Sequence, residues 1–236
     1  MITLPQRLTQ PVGMLCDLFF PRQCVGCGKL GSFLCSDCCR GLPRIVTPFC
    51  PKCGRPESSG NLCHSCWGWQ SNVEGIRSPF RFEGVVRKSI YALKYHNLKA
   101  ISPTLCQLLV EYFEANPLPV HVLVPVPLHP RRLRERGYNQ SGLLACGLGK
   151  LVGLPVSEDC LTRSKDSQPQ ARTVSAEDRR SNVVEAFYCR DRMLEGKQVV
   201  LVDDVCTSGA TLDACAMALK HAGAVSVWGL TLAREV

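Results

Sequence analysis

The chain has 236 residues, 28 Lys and Arg against 20 Asp and Glu, and 45% apolar residues, enough for one domain or two small ones with a real core. A charged fraction of 20% excludes an intrinsically disordered chain, and no apolar run reaches the ~18 residues of a membrane span. The opening residues lack a basic segment, a clean apolar stretch and a small-residue cleavage site, so the chain is expected to be soluble and cytoplasmic.

Leu4, Leu8, Val12, Leu15 and Phe19 recur at near-helical spacing, interrupted by Pro11 and Gly13. This predicts an N-terminal helical segment over 1–20, strongest from Met14 to Phe20, that docks on its own protein, the alternative being a membrane-surface or partner-binding helix. Residues 21–70 change character. They are rich in Cys, Gly and Pro, with few periodic apolar positions, and ten of the chain's 16 cysteines fall within residues 1–66. Without an export signal, such a cluster reads as metal ligation rather than disulfide staples.

Four Cys-x-x-Cys pairs follow in order: Cys24/Cys27, Cys35/Cys38, Cys50/Cys53 and Cys63/Cys66. One such turn aims two thiolates at a tetrahedral ion, and two turns close a four-sulfur site. Gly28 and Gly54 each follow the second Cys of a pair, where a knuckle turn needs a permissive backbone. Joining sequence neighbours gives two structural zinc ions; an interleaved pairing satisfies the same spacing. His64 and Cys39 are spare donors not expected to ligate. A closed four-thiolate site leaves no open position for catalysis. Eight thiolates and two Zn²⁺ lower the formal net charge from +8 to +4. The six remaining cysteines read as small core residues.

From Val73 the texture is that of alternating strands and helices. Strand-like residues 76–82 precede helices near 85–95 and 102–115. A buried-type strand, VHVLVPVP, leads to a helix over 139–152 and a long polar stretch, 163–180. KQVVLVDDV is a second buried strand, 211–222 an amphipathic helix, and VSVWGLTLA a last strand. This order predicts an α/β fold whose parallel sheet has helices on both faces. Residues 77–180 hold 16 Lys and Arg against 9 Asp and Glu, so the middle of the chain suits an anion, whether a phosphate ligand or a nucleic-acid backbone.

The most informative run is Val199 to Thr211. An apolar strand ends in Asp203 and Asp204, and a short loop, Val205-Cys206-Thr207-Ser208-Gly209-Ala210-Thr211, opens a helix. Backbone N–H groups and hydroxyls at a helix N-terminus suit a phosphate monoester. The carboxylates would repel phosphate, so they should meet hydroxyls or a metal. A phosphorylated sugar meets both requirements.

This run resembles the phosphoribosyl pyrophosphate (PRPP) signature of type I phosphoribosyltransferases. The resemblance implies that Asp203 and Asp204 hold the ribose hydroxyls, that Thr207 through Thr211 wrap the 5′-phosphate, and that Mg²⁺ bridges pyrophosphate and ribose. Further runs narrow it: Val124-Pro125-Val126-Pro127-Leu128-His129-Pro130, then Arg134-Glu135-Arg136-Gly137-Tyr138-Asn139-Gln140. With Lys94-Tyr95, Gln168, Gln170, and Arg180-Ser181-Asn182 before Ala186-Phe187, they resemble the ComF family.

That resemblance spans the chain. It implies an N-terminal double zinc ribbon, about 21–70, before a type I phosphoribosyltransferase-like domain at 73–236 with its hood about 73–116. It also implies work in competence, DNA uptake or DNA utilisation on the cytosolic side. The partners it suggests are PRPP, single-stranded DNA, and a DNA-uptake helicase or other competence proteins. Val126, Pro127, Leu128, Arg136 and Asn139 would lie on the pyrophosphate side, among Arg131, Arg132 and Arg134. The stretch 163–180 would be a lid. No general base is evident, and His129 in its loop reads as structural rather than catalytic. Trp67, Trp69, Phe80, Phe82 and Tyr95 either stack on bases or pack a domain junction. The functions in competition are phosphoribosyl transfer to an acceptor nitrogen, and a non-catalytic single-strand binder or PRPP sensor on the same fold.

Overall fold

A computed structural model describes residues 21–163, 187–190 and 192–236. The expected helix over 1–20 and nearly all of the expected lid lie outside the described residues.

A five-stranded, wholly parallel sheet forms the centre. Its strands are β1 (Ile76–Arg77), β2 (Phe80–Arg81), β3 (Val122–Pro125), β6 (Gln198–Cys206) and β7 (Ser226–Arg234). The order is β1-β7-β6-β3, and β2 prolongs the β1 edge along β7, with Phe80 opposite Ala233. β6 is central because its run is apolar throughout: Val199, Val200, Leu201 and Val202 are all fully buried. Alternate residues serve opposite faces. Val200 and Val202 join α2 (Gly84–Tyr95), α3 (Ser102–Ala115) and α5 (Gln140–Val152), while Val199 and Leu201 join α6 (Ala210–His221).

These elements match the predicted ones closely. Asn139, the expected helix start, is the N-cap of α5, its side chain accepting from Ser141 N. Residues 76–81, within the expected hood, are paired into the main sheet. Several short elements have no counterpart in the predicted order. Residues 130–136 form a short helix, α4 (Pro130–Arg136), and β4 (Leu161–Arg163) pairs antiparallel with β5 (Phe187–Cys189). Strands of three residues carry too little alternation to be read. Of the six scattered cysteines, Cys106, Cys160, Cys206 and Cys215 are buried, as small core residues should be. Among the described residues no helix is long and apolar enough to cross a membrane.

The segment before the sheet is built twice over. Cys24 N donates to Lys29 O and Gly28 N to Cys24 O; Cys50 N donates to Arg55 O and Gly54 N to Cys50 O. Gly28 and Gly54 both have positive φ, at 78° and 72°. The first copy carries α1 (Ser36–Arg40), and its Leu34 and Leu42 join the core beside α2 and α3. The second carries a single 3₁₀ turn, His64–Cys66.

Candidate functional site

The eight pair cysteines form two sets, Cys24/Cys27/Cys35/Cys38 and Cys50/Cys53/Cys63/Cys66, with all donor atoms of a set within 4.8 Å of one another. Sequence neighbours are therefore joined, and neither His64 nor Cys39 belongs to a set. A tetrahedron with Zn–S of about 2.3 Å has S···S edges of about 3.8 Å. Cys27 Sγ lies 3.7 Å from Cys35 Sγ, and Cys53 Sγ 3.7 Å from Cys63 Sγ. Backbone donors support the sulfurs in the same way in each copy: Cys35 N reaches Cys24 Sγ at 3.3 Å, and Cys63 N reaches Cys50 Sγ at 3.4 Å. Burial raises the Cys24 thiol, but backbone N–H groups outweigh it and bring that thiol down to about 6. Cys38, hydrogen-bonded to Cys24, is pushed up to about 12. Four thiolates so close together need a cation, and metal entry must displace their protons. Both sets fit structural zinc.

At the end of β6 the two acids have different partners. Asp203 Oδ1 accepts from Ser141 Oγ at 2.7 Å and from Asp204 N at 2.8 Å. Asp204 is buried and pairs with Lys94 Nζ at 2.6 Å. In the sequence Lys94 stands out only through the ComF resemblance, and Ser141 does not stand out. They lie at the C-terminus of α2 and the N-terminus of α5, far from Asp204 and Asp203 in sequence, so no local pattern shows them.

Burial, and then the charge of Asp204, push the Asp203 carboxyl up to about 7. Its folded pKa is raised, so its contribution to stability is fully present below the ordinary carboxylate range and lost as pH rises through about 7. The wild type should therefore lose stability relative to Asp203→Asn as pH rises from about 5 to 8, by on the order of a few kcal/mol. Chemical denaturation of the two proteins at both pH values checks this. A pH-independent difference between them would contradict it.

The loop after the acids has the form expected of an anion cradle. Gly209, at φ 83°, is the N-cap of α6, and Ala210 N donates to Ser208 Oγ at 3.4 Å. A hollow of about 30 Å³ is lined by Asp203, Val205, Thr207, Gly209 and Thr211 among others. Cys206 also lines the hollow but is buried, its Sγ accepting from Arg234 Nη1 at 3.0 Å.

Lys94 also lines a cleft of about 340 Å³, together with Tyr95, Arg132, Glu135 and Arg136. Arg136 donates to Gln140 Oε1 and sits over the Tyr95 ring, 5.5 Å from its centroid. Of the other expected pyrophosphate-side residues, Val126 is buried and its N donates to Val202 O at 2.9 Å. Asn139 Nδ2 donates to Val126 O at 3.0 Å, so Asn139 fixes the turn while capping α5. Pro127 and Leu128 are half-buried. His129 caps α4, its Nδ1 accepting from Arg131 N at 3.2 Å. The aromatics divide. Phe80 is core and Phe82 packs edge-on against Tyr91, whereas Trp67 and Tyr95 are 83% and 68% exposed.

Family models agree with this layout: the double zinc ribbon domain matches residues 15–67, and the phosphoribosyl transferase domain residues 152–234. The chain is 30% identical to competence protein F of Haemophilus influenzae over 230 residues, covering 91% of this chain and 99% of that one. The chain belongs to the competence protein F (ComF) family. Other ComF relatives include DNA utilization protein YhgH of Salmonella typhi, 32% identical over 84% of this chain and 89% of its own length. Competence protein ComFC of Bacillus subtilis is 28% identical over 86% and 84%. The ComF fold read from the sequence, a parallel sheet with helices on both faces behind two four-cysteine sites, is the fold observed.

Proposed function

We propose that this protein binds PRPP with Mg²⁺ and acts in cytosolic steps of DNA uptake, competence or DNA utilisation, transferring phosphoribose to an acceptor. The supporting observation is the juxtaposition of two carboxylates at the end of β6 with a Thr-Ser-Gly loop that opens α6. Asp203 and Asp204 would accept from the ribose hydroxyls, and the N–H groups and hydroxyls of residues 205–211 would take the 5′-phosphate. Lys94, Arg132 and Arg136 supply positive charge beside the acids, where departing pyrophosphate would need it. Among the described residues only the two cysteine sets gather three or more metal donors, so Mg²⁺ would enter held chiefly by the ligand's own oxygens. The relatives' names, competence protein F and DNA utilization protein, supply the pathway.

The exposed Tyr95 ring beneath Arg136 favours one other reading, a single-strand binder that stacks a base there. Strong salt dependence of single-strand binding would support it, and release of pyrophosphate from PRPP would support transfer. In the cell, an allele carrying Asp203→Asn and Asp204→Asn should reduce transformation or growth on DNA to the level of a deletion. Wild-type levels from a normally expressed variant would sink the PRPP-dependent reading.

A further inference from the structure

The second cysteine site stands against the phosphate loop, and the first does not. Trp69 follows the last ligand of the second site, its N donating to Cys66 O at 3.1 Å, and its ring packs on that cluster. The far edge of the same ring is 3.2 Å from where a Cβ would stand on Gly209, and Ile76 Cδ1 is 3.0 Å from that point. Ile76 N in turn donates to Lys52 O at 2.8 Å, inside the Cys50–Cys53 turn. A Cβ on Gly54 would come within 2.5 Å of Ile76 O, so ribbon and strand meet backbone to backbone there. Three residues past Trp69, Asn72 N donates to Asp213 Oδ1 at 2.5 Å, in the first turn of α6.

A buried charge also holds the loop. Arg234 is 2% exposed, donates through Nη1 to Cys206 Sγ at 3.0 Å and through Nη2 to Thr207 O at 3.4 Å. One buried guanidinium at the end of β7 therefore holds two residues of the loop. The first site packs elsewhere. A Cβ on Gly26, in its first turn, would meet Val85 at the start of α2. Val85 is nine residues from Lys94, about 13 Å along that helix.

We infer that the second zinc site is the foundation of the phosphate loop, with Trp69 as the positioning residue between them. Its occupancy sets the geometry of residues 206–213, while the first site secures the ribbon and its contacts with α2 and α3. Ribbon and sheet then form one device: loss of one metal of the two disables the anion cradle without touching any residue of it. The proposal rests in part on the PRPP reading, but its direct readout does not need a ligand.

The test is amide hydrogen exchange of residues 206–213 in the full zinc-loaded chain, with bound zinc counted for each protein. Cys63→Ser should lose one zinc and speed exchange across the loop by about tenfold or more. Cys27→Ser should also lose one zinc yet leave loop exchange as in the wild type. Trp69→Ala, which removes no ligand, should keep both ions and still loosen the loop, which covers the case in which Cys63→Ser fails to fold. PRPP affinity, measured on the same proteins, should fall with loop protection. Equal loop exchange in Cys63→Ser and Cys27→Ser, or an unchanged loop in Trp69→Ala, would overturn the coupling. A wild type that ignores PRPP while the exchange pattern holds would sink the PRPP reading and leave the coupling standing.

Discussion

Stripping zinc from the full chain unfolds residues 21–67 and leaves the parallel sheet assembled. The two cysteine sets sit in a segment whose only regular elements among the described residues are a five-residue helix and a three-residue turn. Its hydrophobic contribution is small: around the second site the buried cluster consists of the four cysteines themselves, with Trp69 against them. A structural Zn²⁺ supplies about 10–16 kcal/mol of apparent binding free energy near pH 7, far more than such a segment gains from burial. The sheet keeps its own core, in which β6, α5 and α6 bury Val200, Leu144 and Leu219 fully. Hydrogen exchange after chelation should therefore show loss of protection over 21–67 and retained protection in β3 and β6. Protection across 21–67 that survives complete zinc removal would contradict a metal-built ribbon.

Replacing both acids with Asn lowers PRPP affinity by on the order of 10²–10⁴-fold, because each charge-assisted hydrogen bond contributes about 1.5–3 kcal/mol. Fold loss is not expected to accompany it. Asn keeps the shape and can still accept from Ser141 Oγ, now 2.7 Å from Asp203 Oδ1. The substitution also removes a carboxyl whose ionised form burial disfavours. Lys94 loses its partner, but its side chain is 19% exposed and can turn toward the cleft it already lines. A thermal midpoint near that of the wild type should therefore accompany the loss of binding. A collapse in stability would mean that the Lys94–Asp204 pair is primarily structural.

Much of this was legible in the sequence because the signals were local. Four Cys-x-x-Cys turns announced the metal sites, and glycines after two of them marked the knuckles. The apolar run of β6, its two acids and the Thr-Ser-Gly loop put the candidate site at a strand end and a helix start, which is where those residues lie. The partners of those acids were not legible. Ser141 and Lys94 reach Asp203 and Asp204 from helices that only the sheet's order brings together. Arg234, a charged residue just past the predicted last strand, is nevertheless buried, with Cys206 Sγ and Thr207 O as its acceptors. Trp69 looked like either a stacking platform or a junction residue, and its contacts with Gly209 and the second site place it at the junction. Short elements escaped for a different reason: β4 and β5 have three residues each, and their pairing across a long polar stretch leaves no periodic trace.

Calorimetric titration of the zinc-loaded protein with PRPP and Mg²⁺, beside the Asp203→Asn, Asp204→Asn variant, asks whether the two acids at the end of β6 hold PRPP. Saturable binding to the wild type and none measurable to the variant is the expected result. Absence of binding to the wild type, or equal affinity in both proteins, would contradict it.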